Sequence, residues 1–547
     1  MTQLQMELLY KLCAIPSITT TAAEDAVPLF LHKELSSWPY FAEHPENIWL
    51  DALKNDALGR HNFCAMVKSS IPTKRTLILL SHHDVVPVDN CKPELSMRAT
   101  HAASPFDIAA YTEAIKHADI DSETRADIES GDWLFGRGVS DMKSGMAAQL
   151  ALLAEFAENP TTLDANILLM TMADEENNGA GVHQAVRTLE RMQAEDGLEF
   201  IACIDSEPTI SNENKDCARI YTGTIGNATL FAMAVGRASH VGEYFSGINS
   251  TSLISQLVLL IESAHSTSDI WQGKRYSPAT CLYLEDLNSS YSVTLPEKSV
   301  ALFNVLMITK TPSEQLHFLN SMAQTAANDV LNLLYRRREG LRGSGYLELP
   351  RHKDKAKVIS YAELVAMLKL SCDVRKVQQE FLDSLQPDLS DQARGIALVS
   401  HMAELAKLEA PYIVTGFLSY CQPRVNLRQS AGEKALMAAV QRVIDYAKTQ
   451  HNHELIHEEV FEGISDMSEL GYQGSAEDLQ LLTDNFIGWG VEHNYPFAEM
   501  QKLNVPVVNL GPIGKDAHKM TERLDRDFYV NTLPDLLRKL VKELIRK

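Results

Sequence analysis

Seven side chains stand out for what their types and spacing could do together: His82, Asp84, Asp141, Glu175, Glu176, Glu207 and His518. Most follow an apolar run that suits a buried strand. Leu77 to Leu80 opens into Ser81-His82-His83-Asp84, and Ala165 to Ala173 into Asp174-Glu175-Glu176. Phe200 to Ile204 closes in Asp205-Ser206-Glu207-Pro208-Thr209, and Val505 to Leu510 leads through Gly511-Pro512 to His518. Polar groups at the mouth of a buried strand cost free energy unless they have partners, and open α/β sheets collect their ligands at the carboxyl ends of strands. Three successive acids repel one another unless a cation neutralises them. Two histidines and several carboxylates without a thiolate suit a pair of zinc ions, and cobalt or manganese would accept the same set. In two-metal hydrolases one carboxylate bridges the ions, and a further carboxylate off the metal takes the proton of the attacking water. Spacing does not distribute these jobs. Asp205 and Glu207 share a face and compete for one role. Asp141 by itself would serve equally as an acid at a helix N-terminus. His82 and Asp84 share a face of an extended strand, with His83 on the other.

The elements that must hold these groups alternate as α/β. Short amphipathic patterns cover Leu4 to Leu12 and Glu24 to Trp38, and strands are expected at Asn62 to Val67 and Thr76 to Leu80. A polar stretch from Pro87 to Gly131 is expected to be loop plus a short helix. Gly136-Arg137-Gly138-Val139-Ser140-Asp141 then precedes a strongly apolar helix from Met146 to Ala157. The third glycine of a dinucleotide fingerprint would fall on Asp141, so that stretch is not one. After Asp216 the pattern changes. Ile220 to Val235 reads as an antiparallel strand pair, followed by a helix to His265, strands at Ala279 to Leu284 and Val300 to Met307, and a helix from Ser313 to Arg336. This order is that of a small α+β domain set into a larger one. Residues 336 to 410 read as mostly helical, with Arg336-Arg337-Arg338 and the basic 342–357 region as a solvated hinge. Pro411 to Tyr420 supplies the insert's last strand, and αβ alternation resumes from Gly432 to an amphipathic helix at Leu533 to Ile545. The expected division is 1–217 with 426–547 for the metal-binding domain and 218–425 for the insert.

At 547 residues with a net charge of −22, the chain is a poor match for nucleic acid. Its eight cysteines include no C-x-x-C pair, which suits a reducing compartment better than a disulfide frame. Residues 1–16 lack the features of a secretory signal, and no apolar run is long enough to span a bilayer. These readings predict a cytoplasmic protein without a membrane partner.

S-H-H-D-V-V-P, G-R-G-V-S-D-M-K-S-G, D-E-E at 174–176, S-E-P-T at 206–209 and G-P-I-G-K-D-A-H resemble, in that order, the motifs of metallopeptidase family 20. That family includes aminoacylases, carboxypeptidase G and succinyl-diaminopimelate desuccinylase. G-R-A-S-H-V-G-E-Y-F-S-G-I-N-S resembles its lid motif. Gly463-Ile464-Ser465-Asp466-Met467 and His518-Lys519-Met520-Thr521-Glu522-Arg523 look most like the arginine utilisation branch. The resemblance implies a zinc-exopeptidase-like α/β catalytic domain with a mostly parallel sheet. An inserted α+β lid would be enlarged by a helical segment at about 340–410 and would form a homodimer. It implies His82, Asp141, Glu176, Glu207 and His518 as ligands of two divalent ions, with Asp141 bridging. Asp84 would brace His82, Glu175 would be the general base, and His240 would stabilise the oxyanion of an active site. The implied reaction is hydrolysis of an amide or peptide bond in a small amino-acid derivative or dipeptide, with a link to arginine catabolism. One departure is Leu306, which stands where many relatives place an arginine for the substrate carboxylate.

Two rival readings remain. His453-Glu454-Leu455-Ile456-His457 fits the H-E-x-x-H motif of single-zinc proteases, which requires a helix, yet Leu455, Val460 and Phe461 look like strand residues. A non-catalytic relative retaining the fold for binding or regulation would be expected to lack Glu175 or a ligand, and here each is present.

Overall fold

A computed structural model of the chain describes residues 2–89, 103–209, 217–288, 290–344, 353–387, 389–418, 421–425, 430–463 and 465–546. They divide into two compact units: Met1–Ile225, Arg424–Gln473 and Pro496–Lys547 in the first, and Gly226–Pro423 with Gly474–Tyr495 in the second.

The first unit is built on eight strands, numbered here in chain order: β1 Ile48–Ala52, β2 His61–Val67, β3 Arg75–His82, β4 Asn166–Met172, β5 Glu199–Asp205, β6 Ala218–Tyr221, β7 Leu455–Glu458 and β8 Val507–Asn509. They lie in the order β1-β2-β4-β3-β5-β8-β6-β7. The central four, β4, β3, β5 and β8, run parallel. Leu77, Ile78, Leu79 and Leu80 on β3, and every residue of β4, are buried on both faces, as parallel strands covered by helices require. The helix Lys143–Glu158 has every residue from Lys143 to Leu153 buried, so its apolar character on most faces reflects packing on most faces. Leu8, Leu12, Leu150, Val440, Leu537 and Leu540 join the strand side chains in one core. The parallel strands all end on the same side, which brings four of the polar endings together.

The second unit carries a five-stranded sheet in the order Thr280–Asp286, Lys298–Met307, Gly226–Val235, Tyr412–Phe417, Lys357–Ser360. All pairings are antiparallel except the last. The helices Ser250–Ile261 and Pro312–Gly340 pack together and against the sheet. The longer one starts with a capping box of Thr311 and Glu314, with Pro312 in its first turn. Phe231, Met233, Val235, Val300 and Leu302 from the sheet share a second core with Leu364, Leu398, Val399 and Met402. The helices Tyr361–Leu368, Val374–Ser384 and Asp391–Ala406 thus give the extra segment a task, covering sheet residues that would otherwise meet water.

Four expectations need correction. Ile220 to Val235 is not one strand pair: β6 pairs with β7 in the first unit, and Gly226–Val235 belongs to the second. The break comes where Thr222, Thr224 and Ile225 donate to the carbonyls of Glu458, Val425 and Phe461. Residues 474–495 leave the first unit, because Asn485 and Ile487 bond the main chain of Phe417. Arg338 is not a solvated hinge residue but is buried beside Asp354. Lys357–Ser360 is a strand inside the segment read as helical. Residues 345–352, the middle of the basic 342–357 region, lie outside the described residues, as do Cys91 and Ile464.

Candidate active site

The pairing of β3 with β4 continues to His82, opposite Met172, so alternation still governs its orientation. His83 turns the other way, fully buried with Nδ1 3.2 Å from Thr171 Oγ1, and burial pushes its imidazole down to about 3. It is a neutral core histidine. His82 Nδ1 lies 3.1 Å from the Asp84 main-chain oxygen and 3.4 Å from Asp84 Oδ1. This leaves Nε2 facing Asp141 Oδ1 at 3.1 Å, Glu207 Oε1 at 3.3 Å and Glu175 Oε2 at 3.8 Å. The Asp84 carboxylate also accepts the main-chain N–H groups of Glu175 and Glu176 at 3.2 and 3.1 Å. It therefore ties the end of β3 to the end of β4.

Asp141 sits in the turn ahead of Lys143–Glu158, at a cis peptide bond to Met142. Its two oxygens face two histidines, Oδ1 toward His82 and Oδ2 3.1 Å from His518 Nε2. His518 Nε2 is also 3.1 Å from Glu176. Two clusters share Asp141: His82, Asp141 and Glu207, and Asp141, Glu176 and His518, each with its ligand atoms mutually within 4.8 Å. A third cluster joins His82, Glu175 and Glu176. Five distant stretches of chain thus meet, and one carboxylate faces both histidines.

The remaining acids separate by their partners. Asp205 receives the Ser206 N–H at 2.8 Å and the Ser465 hydroxyl at 2.7 Å, while Glu207 faces His82. Asp174, first of the three consecutive acids, takes a positive φ of 66° and turns to Arg60 Nη1 at 2.7 Å. The same Arg60 nitrogen donates to Glu24 at 2.8 Å, and Glu24 accepts the Asp174 N–H at 3.0 Å. One of the three acids is therefore neutralised by a protein cation, leaving Glu175 and Glu176 for the site.

The electrostatics show what the donor set calls for. Burial, then the neighbouring acids, pushes the Glu175 carboxyl well above its usual range and Glu207 up to about 8. Burial raises Asp205 to about 6 and Asp466 well above the ordinary value. Burial opposes charge on His82, but Glu175 and Glu207 outweigh it and push its pKa up. Hydrogen bonds to Asp141 and Glu176 lift His518 to about 10. Burial works against the Asp141 charge, yet His518 and His82 hold its carboxyl well below the usual range. The raised carboxyls of Glu175 and Glu207 mark crowding among buried acids that a cation would relieve. Oxygen and nitrogen donors in this arrangement fit two divalent ions.

Several of these partners have no simple signal in the sequence. Glu522 bonds the main chain of Ser140 and Asp141, Arg137 pairs with Glu522, and Arg60 and Glu24 brace the Asp174 turn. Asp466 is buried near His82, Asp84, Asp205 and Glu207. Only the likeness of their surrounding motifs marks Asp466 and Glu522. The H-E-x-x-H reading fails. Asn452 ends a helix in a left-handed conformation, Leu455–Glu458 is strand β7, and His457 Nε2 lies 2.9 Å from Thr222 Oγ1. His240, in the second unit, is exposed and accepts the Gly242 N–H on Nδ1. Leu306 stands opposite Asn227, and Asn227 accepts a bond from Asn304 at 2.7 Å.

The family model "Peptidase family M20/M25/M40" matches residues 78–542. The chain is 31% identical over 546 residues to the protein YqjN of Bacillus subtilis (strain 168), covering 99% of this chain and 96% of that one. It is 26% identical over 548 residues to protein RocB of the same organism, covering 98% and 94%. Among solved structures, a tripeptidase from Staphylococcus aureus subsp. aureus Mu50 aligns with a TM-score of 0.55 at 11% identity, covering 100% of this chain and 99% of that one. The Bacillus subtilis YxeP protein, described as a dinuclear metal-binding peptidase of family M20, aligns with a TM-score of 0.51 at 10% identity, covering 99% and 97%.

Proposed function

Since the chain belongs to peptidase family M20/M25/M40 and is a metallohydrolase acting on amide or peptide bonds, we propose that it is a dinuclear enzyme whose ligands are His82, Asp141, Glu176, Glu207 and His518. The observation that carries this reading is Asp141, whose two oxygens each stand 3.1 Å from a different histidine. When bound, two divalent ions, with zinc favoured and cobalt or manganese accepted by the same donors, would supply Lewis acidity at the scissile carbonyl and acidify the attacking water. The rest is the work of the chain. Glu175, in the His82 cluster but not needed as a ligand, takes the proton of the attacking water and returns it to the leaving nitrogen. Its raised pKa suits a group that must hold that proton in between. Asp84 fixes the His82 ring through Nδ1, so that Nε2 faces inward. The likeness of the stretch around His240 to the family's lid motif supports a role for it at the oxyanion.

The substrate is a small amino-acid derivative or dipeptide, and the likeness to RocB supports a link to arginine utilisation. Leu306 in place of an arginine points to a substrate not held by its free α-carboxylate in the manner of many relatives. A cytoplasmic location is supported by Cys13, Cys64 and Cys203, which are buried free thiols. No helix among the described residues is long and apolar enough to cross a membrane. A homodimer through the second unit is supported by the strand Thr280–Asp286, which has a neighbour on one side only among the described residues. Leu282 and Leu284 on that strand are 68% and 48% exposed. Such an edge invites pairing with a second copy.

Metal analysis and a screen of N-acyl amino acids and dipeptides test the proposal. About two ions per chain are expected, with turnover abolished in Glu175→Gln while the ions stay bound. A stable protein that takes up no metal, or a Glu175→Gln variant of undiminished turnover, would overturn it.

A further inference from the structure

We propose that Arg137 and Glu522 form a reciprocal clamp that positions Asp141 against His518 and thereby sets the affinity for the ion those two share. The inference rests on the dinuclear reading above. Arg137 lies four residues before Asp141, and Glu522 lies four residues after His518, so each loop carries one ligand and one half of the clamp. The contacts cross. From the first loop, Arg137 Nη2 donates to the His518 carbonyl at 3.2 Å. From the second, the Glu522 carboxylate accepts the N–H groups of Ser140 at 3.2 Å and Asp141 at 3.3 Å. Arg137 Nη1 and Glu522 Oε2 close the circuit as an ion pair, both side chains 1% exposed. The Glu522 carbonyl also accepts the Gly136 N–H at 3.3 Å.

Two features give the clamp a positioning task beyond general packing. His518 has a φ of 67°, a left-handed conformation that a residue with a Cβ keeps only when its surroundings hold it there. Arg137 holds its carbonyl. Glu522 places a further carboxylate against the main chain of Asp141, and it can remain there because the Arg137 guanidinium neutralises it. Without the pair, both ligand backbones lose the contact that aims their side chains at each other.

The test is titration of the chelated full-length chain with Mn2+, read by calorimetry and by the electron paramagnetic resonance signal of spin-coupled ions. Thermal stability is measured alongside. Glu522→Gln and Arg137→Met are each expected to weaken Mn2+ binding about 10- to 100-fold and to diminish the coupled signal. The double variant should be no weaker than the poorer single one, because the two act as a unit. Arg137→Lys, which keeps the charge without the guanidinium fork, should recover part of the loss. Glu458→Gln, which breaks the Arg219–Glu458 pair elsewhere in the first unit, should leave Mn2+ affinity unchanged. Wild-type affinity and coupling in Glu522→Gln, or single losses that multiply in the double variant, would overturn the clamp. No uptake by the wild-type chain would instead overturn the dinuclear reading.

Discussion

Glu24 offers a quantitative check on how the Asp174 turn is held. Its carboxylate is fully buried, receives Arg60 Nη1 at 2.8 Å and accepts the Asp174 N–H at 3.0 Å. Burial and then the Asp84 charge push it up, with Arg60 pulling the other way, from an ordinary 4.5 to about 7. The folded protein therefore holds this proton more tightly than the unfolded chain. The resulting stabilisation is fully present below pH 4.5 and is lost as pH rises through 7. Taking 4.5 and about 7 for the two states, linkage makes the Glu24 contribution roughly 2–3 kcal/mol smaller at pH 8 than at pH 5. In Glu24→Gln that dependence disappears. The stability of the variant relative to wild type should rise by roughly 2–3 kcal/mol from pH 5 to pH 8. The fixed cost of placing an amide there cancels in the comparison. Arg60→Met removes the group that lowers the Glu24 pKa, so the loss should extend to higher pH, on top of roughly 3–5 kcal/mol for a broken buried pair. The assay is urea unfolding of the chelated protein at both pH values, read through hydrogen exchange of β2 and β4 amides so that the first unit is followed separately. A difference that changes by less than about 0.5 kcal/mol between the two pH values, or that falls as pH rises, would refute the reasoning.

Other outcomes follow from single contacts. A Cβ added at Gly145 would stand 2.1 Å from the Ser206 carbonyl oxygen, so Gly145→Ala must push its helix away from the end of β5. It should cost about 1–3 kcal/mol in urea unfolding and weaken metal binding measurably through Glu207. His453→Ala should leave metal content and turnover intact, because β7 keeps His453 and His457 from forming a helical pair; elemental analysis and an activity assay check it. Leu282→Lys should convert a dimer to a monomer in light scattering without loss of the fold, since it charges an exposed edge strand. A variant that remains dimeric places the interface elsewhere.

Much of the candidate site is legible in the sequence because its signal is local. An apolar run such as Leu77–Leu80 has to be buried, so the polar groups that end it must be paired, neutralised or put to use. Strand identity, His82, the acids at 174–176 and 205–207, and His518 are visible on that ground alone. Which acid of each group faces inward is not visible. Asp174 leaves the site because its backbone turns to a φ of 66° toward Arg60, over a hundred residues away, and Asp205 turns to Ser465 across a still longer interval. Residues 220–235 and 474–495 differ from expectation for the same reason. Periodicity reports that a segment is strand or helix, but not which sheet edge receives its hydrogen bonds. The chain's own chemistry determined that buried strands end in groups able to hold a cation. Tertiary structure alone decided that Asp141 lies between His82 and His518 and that Arg137 and Glu522 hold the two loops. The Asp141–His518 and Arg137–Glu522 contacts join residues nearly four hundred positions apart, and their geometry exists only once the parallel strands have brought their ends together.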